Sequence, residues 1–300
     1  MIETLGFAGF GEAVYHFTKG LKSAGLKRVA AYDIHTNTPR RGGKIQARAR
    51  ETGVELVESP AALAAQASVV ICAVTADQAV NAAVQTAPHL TARHVYADLN
   101  SVSPATKERI AGIVAGNGAR FVEIAVMGPV PPYLHEVPML LGGAAAPEFQ
   151  AMFAPFGMNM DVVSTDRIGR AIAVKMCRSI VSKGLEAILF ECVLGASQYG
   201  AEERVFQSLD ESFPGVDWKK LADYTVGRVV VHGERRAREM DEVAATLREL
   251  GVDPMMAEAT SRRMDWAAGL GLREHFGGEF PKTCAEVLEA MREEPAGKRK

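Results

Sequence analysis

The sequence of 300 residues lacks the usual marks of several protein classes. Its four cysteines, Cys72, Cys177, Cys192 and Cys284, form no CxxC pair, and its seven histidines give no HxH or HxxxH spacing. Reduced, mostly buried thiols in a cytoplasmic protein without a metal site are therefore expected. No GxSxG elbow suggests a serine hydrolase. The 34 Lys and Arg against 36 Asp and Glu leave a net charge of −2. A chain so balanced has no basic field for nucleic acid or an anionic membrane. Apolar stretches are broken by charge well short of a membrane span, and neither a membrane helix nor a secretory signal is expected.

What is present is order along the chain. Residues 1–165 alternate short apolar runs (2–8, 28–33, 68–74, 94–98, 119–124 and 137–142) with helical patterns near 12–24, 41–51, 60–66, 76–86 and 103–115. That alternation predicts an α/β domain with a doubly wound, mostly parallel sheet covered on both faces. From Arg167 to about Gln198 there is no proline, and helical patterns follow at 200–212, 217–250, 254–267 and 283–293. Residues 166–294 therefore read as an all-helical domain, and 295–300 as a polar, frayed tail.

The first apolar run ends in Gly6-Phe7-Ala8-Gly9-Phe10-Gly11-Glu12-Ala13-Val14. Gly9 and Gly11 are the first two glycines of a GxGxxG turn: one permits the tight bend, the other lets backbone N–H groups reach a pyrophosphate. Val14 stands where a third Gly or Ala is usual. Asp33 ends the second run, about 20 residues on, where an acid takes the adenosine ribose hydroxyls and favours NAD. Arg40 and Arg41 follow, read either as a solvated pair or as groups that admit NADP. Gly9, Phe10, Gly11, Glu12, Ala13, Asp33, Ala73, Val74 and Asn100 form the expected cofactor set.

Two more strand ends face the crevice of such a sheet. Asp98-Leu99-Asn100-Ser101-Val102-Ser103-Pro104 offers Asn100 and Ser101 to ligands and Ser103 as a helix cap. After Glu123-Ile124-Ala125-Val126, Met127 and Gly128 precede prolines 129, 131 and 132, which are expected to stiffen an irregular loop.

The long helical run carries Lys175. On a helical wheel Arg178, Ser179, Ser182 and Glu186 fall at about −60°, +40°, −20° and +20° from it. A narrow polar stripe on an otherwise apolar, buried helix must face something polar. A desolvated lysine beside Arg178 is tuned toward neutrality and competent as a general acid/base; the alternative is a structural pairing with Glu186. Cys177 and Met176, off the stripe, are expected in the core. Farther on, His232, Arg235 or Arg236, and Glu239 share a helical face that reads as a carboxylate clamp or as an exposed ion-paired surface.

In this order the clusters resemble the β-hydroxyacid dehydrogenase superfamily, which includes 3-hydroxyisobutyrate and 6-phosphogluconate dehydrogenases. Gly6 to Gly11 resembles the opening GFxGxG, Asp98 to Pro104 the DxSTxxP segment, Glu123 to Pro129 the DAPVSGG segment, and Gly169 to Ser179 the GxGxxxKxxNN segment. Lys175 matches the family's catalytic lysine, while Arg178 and Ser179 replace its asparagines. The segments around Met127, Lys175 and His232 look like a poorly characterised branch with a phosphogluconate-dehydrogenase-like C-terminal domain.

The resemblance implies a Rossmann domain that holds NAD (NADP remains open) and hydride exchange with a small β-hydroxy acid or sugar-acid-like alcohol or carbonyl. It also implies a carboxylate-bearing substrate near Ser101, Met127, Gly128, Arg178, Ser179, His232 and Arg236, and a homodimer or higher homo-oligomer through the helical domain. An imine reductase-like enzyme of the same fold and a non-catalytic dinucleotide-binding protein are the alternatives.

Overall fold

The computed structural model describes residues 2–293. The tail expected at 295–300 lies outside the described residues. The chain divides after Lys175 into two compact units.

The first unit is built on one eight-stranded sheet: β1 (Thr4–Ala8), β2 (Arg28–Tyr32), β3 (Glu55–Leu56), β4 (Val69–Cys72), β5 (Val95–Asp98), β6 (Arg120–Val126), β7 (Met139–Gly142) and β8 (Met160–Ser164). Their order is β3-β2-β1-β4-β5-β6-β7-β8. Every pairing is parallel except β6 with β7. Helices α1 (Glu12–Ser23), α2 (Gly42–Thr52), α3 (Pro60–Gln66), α4 (Ala79–Thr86), α5 (Pro104–Ala115), α6 (Val130–Tyr133) and α7 (Ala146–Phe153) connect the strands.

Period-two side chains divide the core. Leu5, Phe7, Val69, Ile71, Val95 and Ala97 lie in one cluster with Phe17 and Leu21 of α1, Ile45 of α2 and Phe149 of α7. Ala8, Val70, Cys72 and Tyr96 lie in another with Leu63 of α3, Ala83 of α4 and Ile110 of α5. Strands buried on both faces read as continuous apolar runs, which is why β1, β4 and β5 stand out in the sequence.

Four elements of this unit depart from expectation, among them α7, which no helical pattern announced. β3 is two residues long, and β8 (MDVVS) has an exposed Asp161, so neither shows an apolar run. The prolines after Gly128 do not forbid regular structure: Val130–Tyr133 forms one helical turn, with proline at its start where no N–H is needed.

The second unit is helical. Helix α8 (Arg170–Ser197) contains the division, and α9 (Glu202–Ser212), α10 (Trp218–Glu249), α11 (Met255–Ala268), α12 (Leu272–His275) and α13 (Cys284–Glu293) follow. Phe190, Val226, Val229, Val230, Met264 and Val287 are central to its core. Asp217 caps α10 by accepting the Lys220 N–H at 2.9 Å. Among the described residues no helix is long and apolar enough to cross a membrane.

Helices α10 and α11 approach closely at Gly233, where a Cβ would lie 2.7 Å from the Met264 carbonyl oxygen. Backbone cannot yield there cheaply. Gly233→Ala is expected to cost about 1–3 kcal/mol through overpacking. Gly195→Ala on α8, where an added Cβ meets nothing within 4 Å, should be neutral or stabilising by up to about 1 kcal/mol. Urea midpoints of the two variants check this, and equal midpoints would refute the close approach.

Candidate functional site

The parallel register fixes one edge of the sheet. Tyr32, Ala8, Cys72, Asp98 and Glu123 are successive partners across β2, β1, β4, β5 and β6. The chain leaves this row at its carboxyl edge, where ligands of open α/β sheets bind.

Beyond Ala8 the glycine turn is sterically defined. Gly9 has φ +94°, and a Cβ there would sit 2.4 Å from the Ala73 carbonyl oxygen. A Cβ on Gly11 would meet nothing within 4 Å, so the space before α1 is open. Gly11 is the N-cap of α1 and supplies no capping side chain. Free N–H groups, the positive helix end and unfilled space together fit a pyrophosphate. Val14 is buried within the core rather than spoiling the turn.

A cleft of about 560 Å³ opens here, lined by Gly9, Phe10, Gly11, Glu12, Ala13, Asp33, Ala73 and Val74. These are the expected cofactor residues except Asn100. Asn100 is buried and does not line the cleft: its side-chain oxygen accepts the Val74 N–H at 2.7 Å, and its amide donates to Asp98 Oδ1 at 2.5 Å. It shapes the wall by tying the ends of β4 and β5. Arg40, Arg41, Lys44 and Arg48 also line the cleft, and Arg40 and Arg41 are exposed.

The sequence reading missed Lys107. Its amine is fully buried and donates to Asp98 Oδ2 at 2.5 Å and to the Asp98 carbonyl at 2.7 Å. The signal was present: Lys107 shares the buried face of α5 with Ile110 and Val114. Ser103 caps α5 as expected, accepting the Thr106 N–H at 3.2 Å. Ser101, Met127 and Gly128 are half-buried beyond β5 and β6. Cys72, enclosed near Asp98, has its thiol pushed up to about 12 by desolvation.

Glu123 anchors the start of α8. Its buried carboxylate accepts the N–H groups of Gly169 at 2.8 Å, Ala171 at 3.2 Å and Ile172 at 3.4 Å. Burial raises its pKa, and these bonds oppose the rise. Gly142, its partner on β7, leaves the room: a Cβ there would lie 2.2 Å from Oε1. Lys175 follows within two turns of this anchored end. It is half-buried, not enclosed in apolar surroundings as expected.

In the second unit the polar stripe is rearranged. Arg178 and Cys177 are exposed, not buried. Val181 is 72% and Ile188 54% exposed, so this helix, apolar over most of its surface, is not buried all round. The enclosed cation is Lys183, which the wheel passed over. Its amine donates to Ser179 Oγ at 2.9 Å and pairs with Glu239 at 3.0 Å. Desolvation holds it below the usual lysine range. Glu186 pairs with Arg236 at 2.6 Å and Arg228 at 3.5 Å, and burial raises its pKa.

The expected carboxylate clamp on α10 is therefore not a free one. Arg236 is buried and neutralised by Glu186, and Arg235 is exposed and paired with Glu239. His232 packs edge-on against Phe280, with ring centroids 5.4 Å apart. Burial, then the neighbouring arginines, pushes its pKa down to about 4. Among the described residues no cluster of His, Cys, Asp and Glu could hold a metal.

A parallel sheet with an open glycine turn at its carboxyl edge, followed by a helical unit, defines a dinucleotide-binding α/β protein. Residues 4–163 match the NAD binding domain of 6-phosphogluconate dehydrogenase, and residues 196–267 match a domain of unknown function, DUF1932. The chain belongs to the first of these families, that of the NAD binding domain of 6-phosphogluconate dehydrogenase.

It is similar to the structure of a conserved hypothetical protein from Sinorhizobium meliloti 1021, at 37% identity and a TM-score of 0.82, covering 98% of this chain and 97% of that one. It is similar also to the conserved protein MTH1747 of unknown function, described as showing structural similarity with 3-hydroxyacid dehydrogenases. There the identity is 30% and the TM-score 0.74, over 92% of this chain and 99% of that one. The Mycobacterium tuberculosis 3-hydroxyisobutyrate dehydrogenase, solved with L-serine, shares the fold at 15% identity and a TM-score of 0.70, over 97% and 99% of the two chains.

Two outcomes follow from this geometry. Glu123→Ala leaves the first N–H groups of α8 unaccepted in a buried place and should cost about 2–3 kcal/mol. An unchanged urea midpoint would exclude the anchor. His232, neutral in the fold, is protonated in the unfolded chain below its ordinary pKa of 6.5. It therefore costs stability as pH falls from 6.5 toward about 4. His232→Gln should show a smaller loss of thermal midpoint over that interval than the parent. An equally steep loss would assign the titration to another group.

Proposed function

We propose that the protein is a NAD(P)-dependent oxidoreductase acting on a small β-hydroxy acid or sugar-acid-like alcohol and its carbonyl, with Lys175 as the general acid/base. One observation carries the reading. Ala8, which leads into the glycine turn, and Glu123, whose carboxylate anchors α8, lie on the same register row. Lys175 is thus held within two turns of the edge where the dinucleotide cleft opens.

The nicotinamide, when bound, accepts or gives the hydride. The work of the chain is to hold it and to move a proton. N–H groups before α1 take the pyrophosphate. The Lys175 amine takes the proton of the substrate hydroxyl during oxidation and returns it during reduction. The Ser101 hydroxyl and the backbone at Gly128, half-buried at the ends of β5 and β6, orient the substrate. The same reading includes a homo-oligomer built through the helical unit, where α8 exposes Val181 and Ile188.

An absorbance screen of β-hydroxy acids, sugar acids and their aldehydes with both cofactors tests the class. With an active substrate in hand, Lys175→Ala should lower turnover by about 10²–10⁴-fold and leave reduced-cofactor affinity unchanged. Undiminished turnover would remove Lys175 from the chemistry.

A further inference from the structure

We infer that Lys183 is a positioning residue of the proposed site: through Ser179 it makes that site selective for an oxygen acceptor, a carboxylate or carbonyl, over an amine or iminium group. The inference rests on the function proposed above and deepens it.

Lys175, Ser179 and Lys183 stand at i, i+4 and i+8 on α8. Residues four apart are neighbours on one helix face, and helical side chains lean toward the N-terminus. Lys183 therefore reaches back over Ser179, and Ser179 leans over the turn that carries Lys175. The first of these contacts is formed: the Lys183 amine donates to Ser179 Oγ at 2.9 Å.

The polarity of that bond decides what Ser179 can do next. An ammonium offers only donors, so the hydroxyl oxygen must accept from it, and the hydroxyl hydrogen is left to donate. Serines and threonines elsewhere in these helices give that hydrogen to the carbonyl one turn back: Ser23 to Lys19, Thr86 to Ala82, Ser212 to Ser208 and Thr246 to Glu242. The Ser179 hydrogen has no acceptor among the described residues, although the residue is buried. A buried donor left unused costs free energy unless a ligand meets it.

Glu239 holds Lys183 in its ammonium form. Desolvation lowers the Lys183 pKa, and the Glu239 carboxylate at 3.0 Å opposes that loss. Glu239 is shared with Arg235, and Glu186 is shared by Arg228 and Arg236, so in this network four cations divide two carboxylates. Positive charge behind a hydroxyl strengthens the bond that the hydroxyl donates. A carboxylate or carbonyl oxygen that meets Ser179 gains from this. An iminium or ammonium group brings a second donor and a like charge.

With the substrate found by the absorbance screen, Ser179→Ala should raise KM by about 10–100-fold, as the loss of one charge-assisted hydrogen bond does. Lys183→Met should raise it similarly, and Lys183→Arg, which keeps a cation and its donors, should recover most of the loss. The double variant Ser179→Ala/Lys183→Met should be no worse than Ser179→Ala alone, because Lys183 acts through the hydroxyl. A packing role for Lys183 predicts losses that add and no rescue by arginine. Turnover of cyclic imines relative to carbonyls should be low in the parent and rise in Lys183→Met.

Nitrogen NMR of labelled lysine side chains needs no substrate and no destabilised variant. It should show Lys183 as an ammonium at neutral pH, its signal assigned by its loss in Lys183→Arg. A neutral amine, an unmoved KM in either single variant, or losses that add in full would overturn the inference and leave the proposed function standing. Preference of the parent for imines, or no turnover with any member of the screen, would overturn both.

Discussion

The carboxylate of Glu123 carries more of this architecture than any other single group. A helix of 28 residues begins with N–H groups that have no intrahelical acceptor, and here they converge on one acid buried in the sheet. Removing a carboxylate from water is expensive, and burial raises its pKa accordingly. Three N–H bonds and the positive end of the helix offset that cost only if the geometry is tight. The tightness comes from glycine: Gly142 clears space for the carboxylate, and Gly169, at φ +92°, lets the chain turn against Pro104. The position of Lys175 therefore follows from a strand residue some fifty positions earlier in the chain.

A second buried charge keeps the same edge in register. Asp98 and Lys107 form an ion pair with no solvent exposure on either side. Such a pair contributes little net stability over an apolar pair, but losing one partner leaves a bare charge in the core. Its value here is positional. Lys107 ties α5 to the end of β5, and Asn100 ties β5 to β4 through the Val74 N–H. Val74 in turn lies against the glycine turn, where a Cβ on Gly9 would come within 2.9 Å of its side chain. The cleft's shape is thus set by side chains that never face it.

Patterns that repeat or strain the backbone were legible in the sequence. The glycine turn, the acid ending β2, the Ser103 cap and the helical second half all follow from spacing. Burial within α8 did not. Its face at Val181 and Ile188 is as apolar as the face at Ile172 and Phe190, yet only the latter is enclosed. Composition cannot rank two equally apolar faces of one helix. Lys183 was missed for a related reason. It reads as solvated until the partner on α10, Glu239, is brought to it from 56 residues away in sequence. Strands β3 and β8 escaped because edge strands need no continuous apolar run.

Both units bury opposed charges, and in the helical unit this bears on the anion site of the proposed function. In the helical unit Lys183, Glu186 and Arg236 are buried as opposed charges. A substrate carboxylate that bound Arg236 would displace Glu186 into a desolvated site, at a cost of several kcal/mol. Arg178, exposed on α8 without an ion-pair partner among the described residues, carries no such penalty. His232, its pKa pushed down by burial, contributes no positive charge near neutral pH. Within the proposed function, Arg178 is thus the arginine left open to an anion, while Arg236 on α10 is already neutralised.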